Sequence, residues 1–437
     1  MSRFLLSFLV LPAVALAIQA QPSETLIRLN MQPMPAPKPS LRYLLLPELS
    51  EMEPGNPIPN YLKCVLEAES SSDPDKLKKS VLRQADQAAR LDKPDWQILL
   101  RAKTDGIGLL YSDVQKLREL ANGLQMRFRE EVNQRRFDDA MVTAKTMFAL
   151  SRHLGAHPTL IGDLVGIAIA AVAIGPFEEM LSQPGCPNFY WALTNLPQPF
   201  ISLDGGIQGE RLLIGADLRD LDDTNPMTPE QLKKLIDHID ELIELRRGKK
   251  TTETRERLNE RRKQPLWLAA AYNHLIEAGV PKEKLQQFPL DQVILLEEKR
   301  EYHVRWDDEM KVMRLPYWEM GRLVNPSFIN ANKIVHEPAL FDRLLPFMIK
   351  VRRAQGRLEQ RFALLRHAEA IRMYAAENKG KLPAKLSDIT VPLPVDPFTG
   401  KPFKYTLDGD TAHLRGTPPK DYSDAVHNIH YEITIQK

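Results

Sequence analysis

Between about residues 60 and 350 the apolar positions recur at three- and four-residue intervals, and after about residue 400 they recur at every second residue. The first spacing lines one face of an α-helix and the second one face of a strand, so the pattern predicts a helical body followed by a small sheet. Asp73-Pro74 supplies a cap acceptor and a proline suited to a first helical turn. Ser112 with Gln115 has capping-box spacing, and Leu117, Leu120 and Leu124 follow on one face of a run reaching Arg136. Phe137 to Leu154 reads as a second helix after a short break, and such connections favour antiparallel neighbours in a bundle or a solenoid of helix pairs. Thr228-Pro229-Glu230-Gln231 is a further helix start, leading to Leu232, Leu235, Ile236, Ile239, Leu242 and Ile243 on one side.

Thr159 to Ile174 is the most apolar stretch beyond residue 20. Asp163 interrupts it, and Pro176 with Glu178 and Glu179 is expected to close it, which leaves too few residues to cross hydrocarbon. It is read as the central core helix. Pro184 to Pro199 reads as an ordered loop with one helical turn, and Trp267 to Tyr317 as helices carrying core aromatics. The segment Arg257 to Arg262 mixes signs and is expected on a solvated helix.

The last eighty residues change character. Leu358, Phe362, Leu365, Ala368, Ile371 and Ala375 keep helical spacing up to Asn378 and Gly380, a stop signal. Phe403, Tyr405 and Leu407 then alternate up to Asp408-Gly409, Ala412 and Leu414 return, and Ile429, Tyr431, Ile433 and Ile435 form a last strand. The expected fold class is therefore mainly α. A multi-helix body, bundle or helical-pair solenoid, over 61–350 precedes a small α+β module over 351–437, with a long helix on a three-stranded antiparallel sheet.

The N-terminal end changes where such a protein is expected to act. Arg3, the apolar run Phe4 to Ala17 and small residues up to Ala20 have the parts of a secretory signal over 1–20, with a cut after Ala20 or Ala17. Residues 21–60 hold nine prolines and read as an extended lead-in, in which Leu41 to Leu49 is apolar enough to dock. The predicted location is exported, periplasmic or extracellular, with no transmembrane segment in the mature chain. In an oxidising compartment Cys64 and Cys186 could form one bridge, two buried free thiols being the alternative.

Charge removes a class of partner. With 59 Lys+Arg against 57 Asp+Glu the chain lacks the basic excess of a nucleic-acid binder. Protein or an envelope polymer is the expected partner, and Tyr190 and Trp191, among four prolines, are the candidate interaction surface.

Two stretches carry resemblances. Ala370-Ile371-Arg372-Met373-Tyr374, Asn378-Lys379-Gly380-Lys381-Leu382-Pro383 and Val395-Asp396-Pro397-Phe398-Thr399-Gly400-Lys401-Pro402-Phe403-Lys404-Tyr405 resemble the globular domain of the type II secretion major pseudopilin. This implies the fold of that module. Neither the assembly helix nor the dense Asp/Gly calcium loop of that family is matched, so neither pilus assembly nor a metal is carried over. Leu44-Leu45-Leu46-Pro47-Glu48-Leu49, His157-Pro158-Thr159-Leu160-Ile161-Gly162 and Gln183 to Leu193 are similar to large exported proteins of planctomycete-type bacteria, which implies export and no activity.

No catalytic, cofactor or metal motif is predicted from residue spacing. His153 and His157 stand four apart, but Gly155 and Pro158 end the helix between them. His427 and His430 fall on opposite faces of a regular strand. Gly205-Gly206 with Gly209 lacks the ending of a phosphate loop. The adjacent carboxylates Glu178-Glu179 and Glu297-Glu298 point about 100° apart and read as helix-surface charge. The expectation is an exported, non-enzymatic interaction or structural protein of the cell envelope. The alternative is a secreted hydrolase of envelope polymer or peptide, with Asp163, Glu178 and Glu179 in a groove.

Overall fold

The computed structural model describes residues 24–69, 79–98, 103, 112–247, 250–323, 340–344, 348–419 and 428–436. The signal segment, the Asp73-Pro74 helix start and His427 lie outside the described residues. Among the described residues, fourteen helices and one mixed four-stranded sheet make the chain mainly α with a small α+β module.

The chain enters as a strand. β1 (Thr25–Met31) lies parallel to β4 (Ile429–Ile435), pairing Thr25 with Ile429 and Met31 with Ile435. β2 (Lys404–Asp408) and β3 (Thr411–Arg415) form the expected hairpin, and the sheet order is β1-β4-β3-β2. The lead-in thus adds a parallel fourth strand to the three antiparallel ones. Its signal is present in Ile27, Leu29 and Met31 alternating with Arg28 and Asn30. Parallel neighbours need a crossover, and here the whole helical body is that crossover.

Helices α1 (Ile58–Glu69) and α2 (Lys79–Ala88) pack on each other. Helices α3 (Ser112–Asn133) and α4 (Phe137–Leu154) pack on α5 (Leu160–Leu181), the axis of the fold. Thr159 caps α5 by accepting from the Gly162 N–H at 3.3 Å. The helix does not stop at Pro176 but runs through it to Leu181, 22 residues in all. That is long and apolar enough to cross a membrane. In this fold it is instead enclosed by α3, α4, α7 (Asp204–Asp217) and α14 (Met348–Glu377). Close approach needs small residues. A side chain at Gly206 would strike the Asp163 carboxylate and one at Gly209 the Pro158 carbonyl, so this glycine pair serves helix packing.

A short helix, α6 (Tyr190–Thr194), follows α5. Beyond α7 the chain continues through α8 (Pro229–Arg247), α9 (Glu253–Arg262), α10 (Pro265–Glu277), α11 (Lys282–Leu285), α12 (Leu290–Met313) and α13 (Tyr317–Leu323). At the α8 start Thr228 N donates to Gln231 Oε1 at 2.7 Å and Gln231 N to Thr228 Oγ1 at 3.3 Å, a reciprocal capping box. The six apolar residues on its inner face are all buried.

Helix α14 begins before residue 351 and touches α5 and α6 as well as β4. It ends where Gly380 takes a left-handed conformation and donates to the Ala375 carbonyl at 2.8 Å. One continuous core runs from Leu29 and Met31 through α5 to Tyr431 and Ile433. Lead-in, body and module therefore share an interior.

Candidate functional site

Tyr190 is not on the surface. Its ring is fully buried, its hydroxyl donates to the Pro392 carbonyl, and the Arg366 guanidinium stands 5.7 Å from its centroid. Trp191 is half-buried and meets the Tyr190 ring edge-on at 5.0 Å. Tyr190 thereby joins the α6 turn to the module, with Trp191 packed against it. The preceding residues do the same: Asn188 Nδ2 donates to Glu369 Oε2 at 2.7 Å and Phe189 N to Glu369 Oε1 at 3.0 Å.

The cysteines are not bridged. Cys64 on α1 directs its thiol to the Val81 carbonyl at 3.5 Å, and Cys186 directs its own to the Pro187 carbonyl at 3.4 Å. Burial pushes their thiols up to about 11 and about 12.

The three carboxylates expected to share a groove do not converge. Asp163 is wholly buried, neither oxygen has a hydrogen-bond partner, and burial with Glu210 and Asp204 nearby pushes its carboxyl up to about 9. Glu178, fifteen positions along α5 or about 22 Å by helical rise, accepts from Arg361 Nη2 at 2.7 Å and from the Tyr431 hydroxyl. Glu179 faces solvent and pairs with Arg129 at 3.0 Å. These are a protonated core acid, a buried staple and a surface ion pair.

Glu297 and Glu298 are buried, not surface charge. Glu297 Oε1 meets His274 Nδ1 and Arg300 Nη2, each at 2.7 Å. Glu298 receives Arg261 Nε at 2.9 Å and the Leu340 N–H at 2.5 Å, with Arg257 Nε at 3.3 Å. The expected solvated helix α9 thus turns Arg257 and Arg261 inward, where Glu298 compensates them. Arg261 also lies 4.3 Å from the centroid of the Trp267 ring.

Helix α4 ends at Leu154, between His153 and His157, as their flanking residues predict. His153 Nδ1 is 3.1 Å from the Tyr61 hydroxyl and His157 Nδ1 is 2.7 Å from Thr159 Oγ1. Burial pushes each down to about 4, so both are neutral core imidazoles.

A histidine cluster that local spacing could not reveal lies on the polar face of the sheet. In the β3–β4 register His413 is opposite Glu432 and Arg415 opposite His430, so strand alternation puts all four on one face. His413 Nδ1 is 3.0 Å from His430 Nε2 and 4.0 Å from Glu432 Oε1. His430 Nδ1 is 2.9 Å from Glu24 Oε2, just ahead of β1. A carboxylate only accepts, so this contact puts the ring proton on Nδ1 and leaves the Nε2 lone pair toward His413. Arg28 Nε holds the other Glu432 oxygen at 3.0 Å, and Arg415 Nε lies 3.6 Å from Glu24 Oε1. Glu24 and Arg28 come from the N-terminal end and His430 and Glu432 from the C-terminal end, and the signal is visible only once β1, β3 and β4 are in register.

Two further surfaces stand out. A cleft of about 320 Å³ opens between α7, α12 and α14, lined by Asp204, Met310, Arg314, Arg352, Gln355 and Glu359. Helix α10, PLWLAAAYNHLIE, is apolar at nine of thirteen positions, yet only Ala271 and Leu275 are buried. Leu266 is 87% exposed and Ile276 37%, with Ala269 also in solvent.

No protein-family model, no curated protein and no solved structure matches this chain.

Proposed function

We propose that this chain is an exported, non-enzymatic interaction or structural protein of the cell envelope, and that α10 is its docking surface. The carrying observation is the composition of α10 against its burial. A helix apolar on nearly every side is normally enclosed, whereas α10 offers Leu266, Ala269 and Ile276 to solvent. Exposed apolar area rimmed by polar residues marks surfaces that a partner covers. Around it Arg262 pairs with Asp291 at 2.5 Å, and His274 and Arg300 gather on Glu297. The secretory composition of residues 1–20 supports envelope location, and the motif over Asp396 to Tyr405 supports a pseudopilin-like fold for the module. The partner in this reading is a protein with a complementary apolar face.

The test is fractionation and affinity purification of a tagged copy, beside a Leu266→Lys/Ile276→Lys variant. The reading expects the wild-type chain in the envelope fraction with a reproducible protein companion that the variant loses. A cytoplasmic chain, or the same companion on both, contradicts it.

A second reading, a secreted hydrolase of envelope polymer or peptide, is supported by the cleft beside α14, where Asp204 and Glu359 are two carboxylates on one concavity. Burial raises the Glu359 carboxyl above its ordinary value, the direction a general acid requires. Release of soluble fragments from envelope polymer by wild type, abolished in Glu359→Gln, would establish this reading in place of the first.

A further inference from the structure

We infer that His413, His430 and Glu432 form a binding site for one borderline divalent cation of the zinc class. His413 Nδ1, His430 Nε2 and Glu432 Oε1 lie within 4.8 Å of one another. Tetrahedral zinc holds nitrogen ligands at about 2.0–2.1 Å, which puts pairs of ligand atoms about 3.3 Å apart. The observed separations of 3.0 Å between the two imidazoles and 4.0 Å from His413 to Glu432 lie on either side of that value, and the third pair is within 4.8 Å.

The surroundings are built as a ligand set needs. A histidine ligand ordinarily donates its second ring N–H to a carboxylate, which fixes the tautomer and raises the basicity of the free nitrogen. Glu24 takes that place on His430, and its own second oxygen faces Arg415. Arg28 occupies Glu432 Oε2 and leaves Oε1 toward the cluster. His430 is 4% exposed, while the side chains of His413 and Glu432 are 19% and 25% exposed. The inner ligand is thus shielded and the outer two reachable, and three protein ligands leave a fourth position to water.

Two imidazoles and one carboxylate select zinc-like ions over calcium or magnesium, which take oxygen donors. Arg28 and Arg415 oppose a cation electrostatically, but each is already turned onto a carboxylate oxygen the cation does not use. The competing occupant of the 3.0 Å gap is a proton on His413 Nδ1, a plain hydrogen bond between the rings, and the experiment separates the two. A bound ion would clamp β3 to β4 beside β1. The site stands independently of α10 and of any partner.

The test is titration of the full-length, untagged chain with Zn²⁺ by calorimetry, and with Co²⁺ by visible absorption, which reports coordination geometry. The expected result is one equivalent bound, with a four-coordinate cobalt spectrum. His413→Asn should weaken zinc at least tenfold, and Glu24→Gln, which keeps every ligand, about 10–100-fold. His238→Asn, on α8, should leave affinity unchanged. Far-UV circular dichroism identifies any variant that has not folded, and Glu24→Gln then carries the test alone. No stoichiometric uptake, or equal affinity in wild type, His413→Asn and Glu24→Gln, overturns the site and leaves the hydrogen-bonded pair.

Discussion

Gln125 of α3 donates its Nε2 to the Val172 carbonyl of α5 at 2.9 Å, and Val172 lies four residues before Pro176. A proline has no N–H for that carbonyl and its ring crowds it, the two reasons proline ends or kinks helices. The neighbouring helix supplies the missing donor, and α5 continues for one more turn, bringing Glu178 to Arg361. Gln125→Leu is expected to cost about 1 kcal/mol, the low end of the penalty for an unsatisfied acceptor, because the bond is only part-buried. In a Pro176→Ala background the helix repairs itself and the cost should shrink. A denaturant double-mutant cycle measures the difference, and strictly additive costs would refute the arrangement.

Asp163 should give the protein a pH-dependent stability. Its carboxyl is pushed up to about 9 in the fold from an ordinary value of 3.8. Between those values the folded state carries a proton that the unfolded state has lost. Stability therefore falls as pH rises through that window, by about 1.4 kcal/mol per unit, and levels off on either side. Asp163→Asn removes the proton and with it this slope, so the wild-type and variant curves should diverge from pH 4 to 9. Parallel curves from urea melts across that range would contradict the buried acid.

The Glu369–Arg372 pair, three residues apart on α14, is fully buried with a 2.8 Å contact. Arg372 Nη2 and Nε donate to the Cys186 and Gln32 carbonyls at 2.8 and 3.1 Å, while Glu369 accepts from the Asn188–Phe189 segment. Removing one partner leaves a buried uncompensated charge, so Arg372→Met should cost about 3–5 kcal/mol. Arg372→Met with Glu369→Leu should cost less than the sum of the singles. Urea midpoints of the three variants decide it.

The thiols give a chemical check on the body. Cys64 and Cys186 are unbridged, and burial raises both. A thiol reagent at pH 8 should find neither in the folded chain and two per chain in denaturant without reductant. A count of zero in denaturant would establish the bridge instead.

How far the chain was legible depended on the range of each signal. Local periodicity was sufficient for Phe137–Leu154, for the capped start at Thr228 and for the strand at Ile429. It failed where a distant residue changed the rule: Gln125 lets α5 pass Pro176, and Glu298 draws Arg261 inward from a segment that reads as solvated. β1 was hidden because nine prolines in residues 21–60 outweigh the short alternation of Ile27, Leu29 and Met31. Tyr190 looked like a surface anchor from its proline-rich setting, but its hydroxyl has an internal acceptor at Pro392. The His413–His430 pair, seventeen residues apart across β3 and β4, follows from register alone.

The central claim, that α10 meets a partner, is tested most directly by in-cell photo-crosslinking from position 266 with position 66 as control. Leu266 and Leu66 are both exposed, at 87% and 61%, but Leu66 lies on α1, away from α10 in sequence. The account predicts one reproducible protein adduct from position 266 and none from position 66. No adduct at 266, or the same adduct from both, would contradict it.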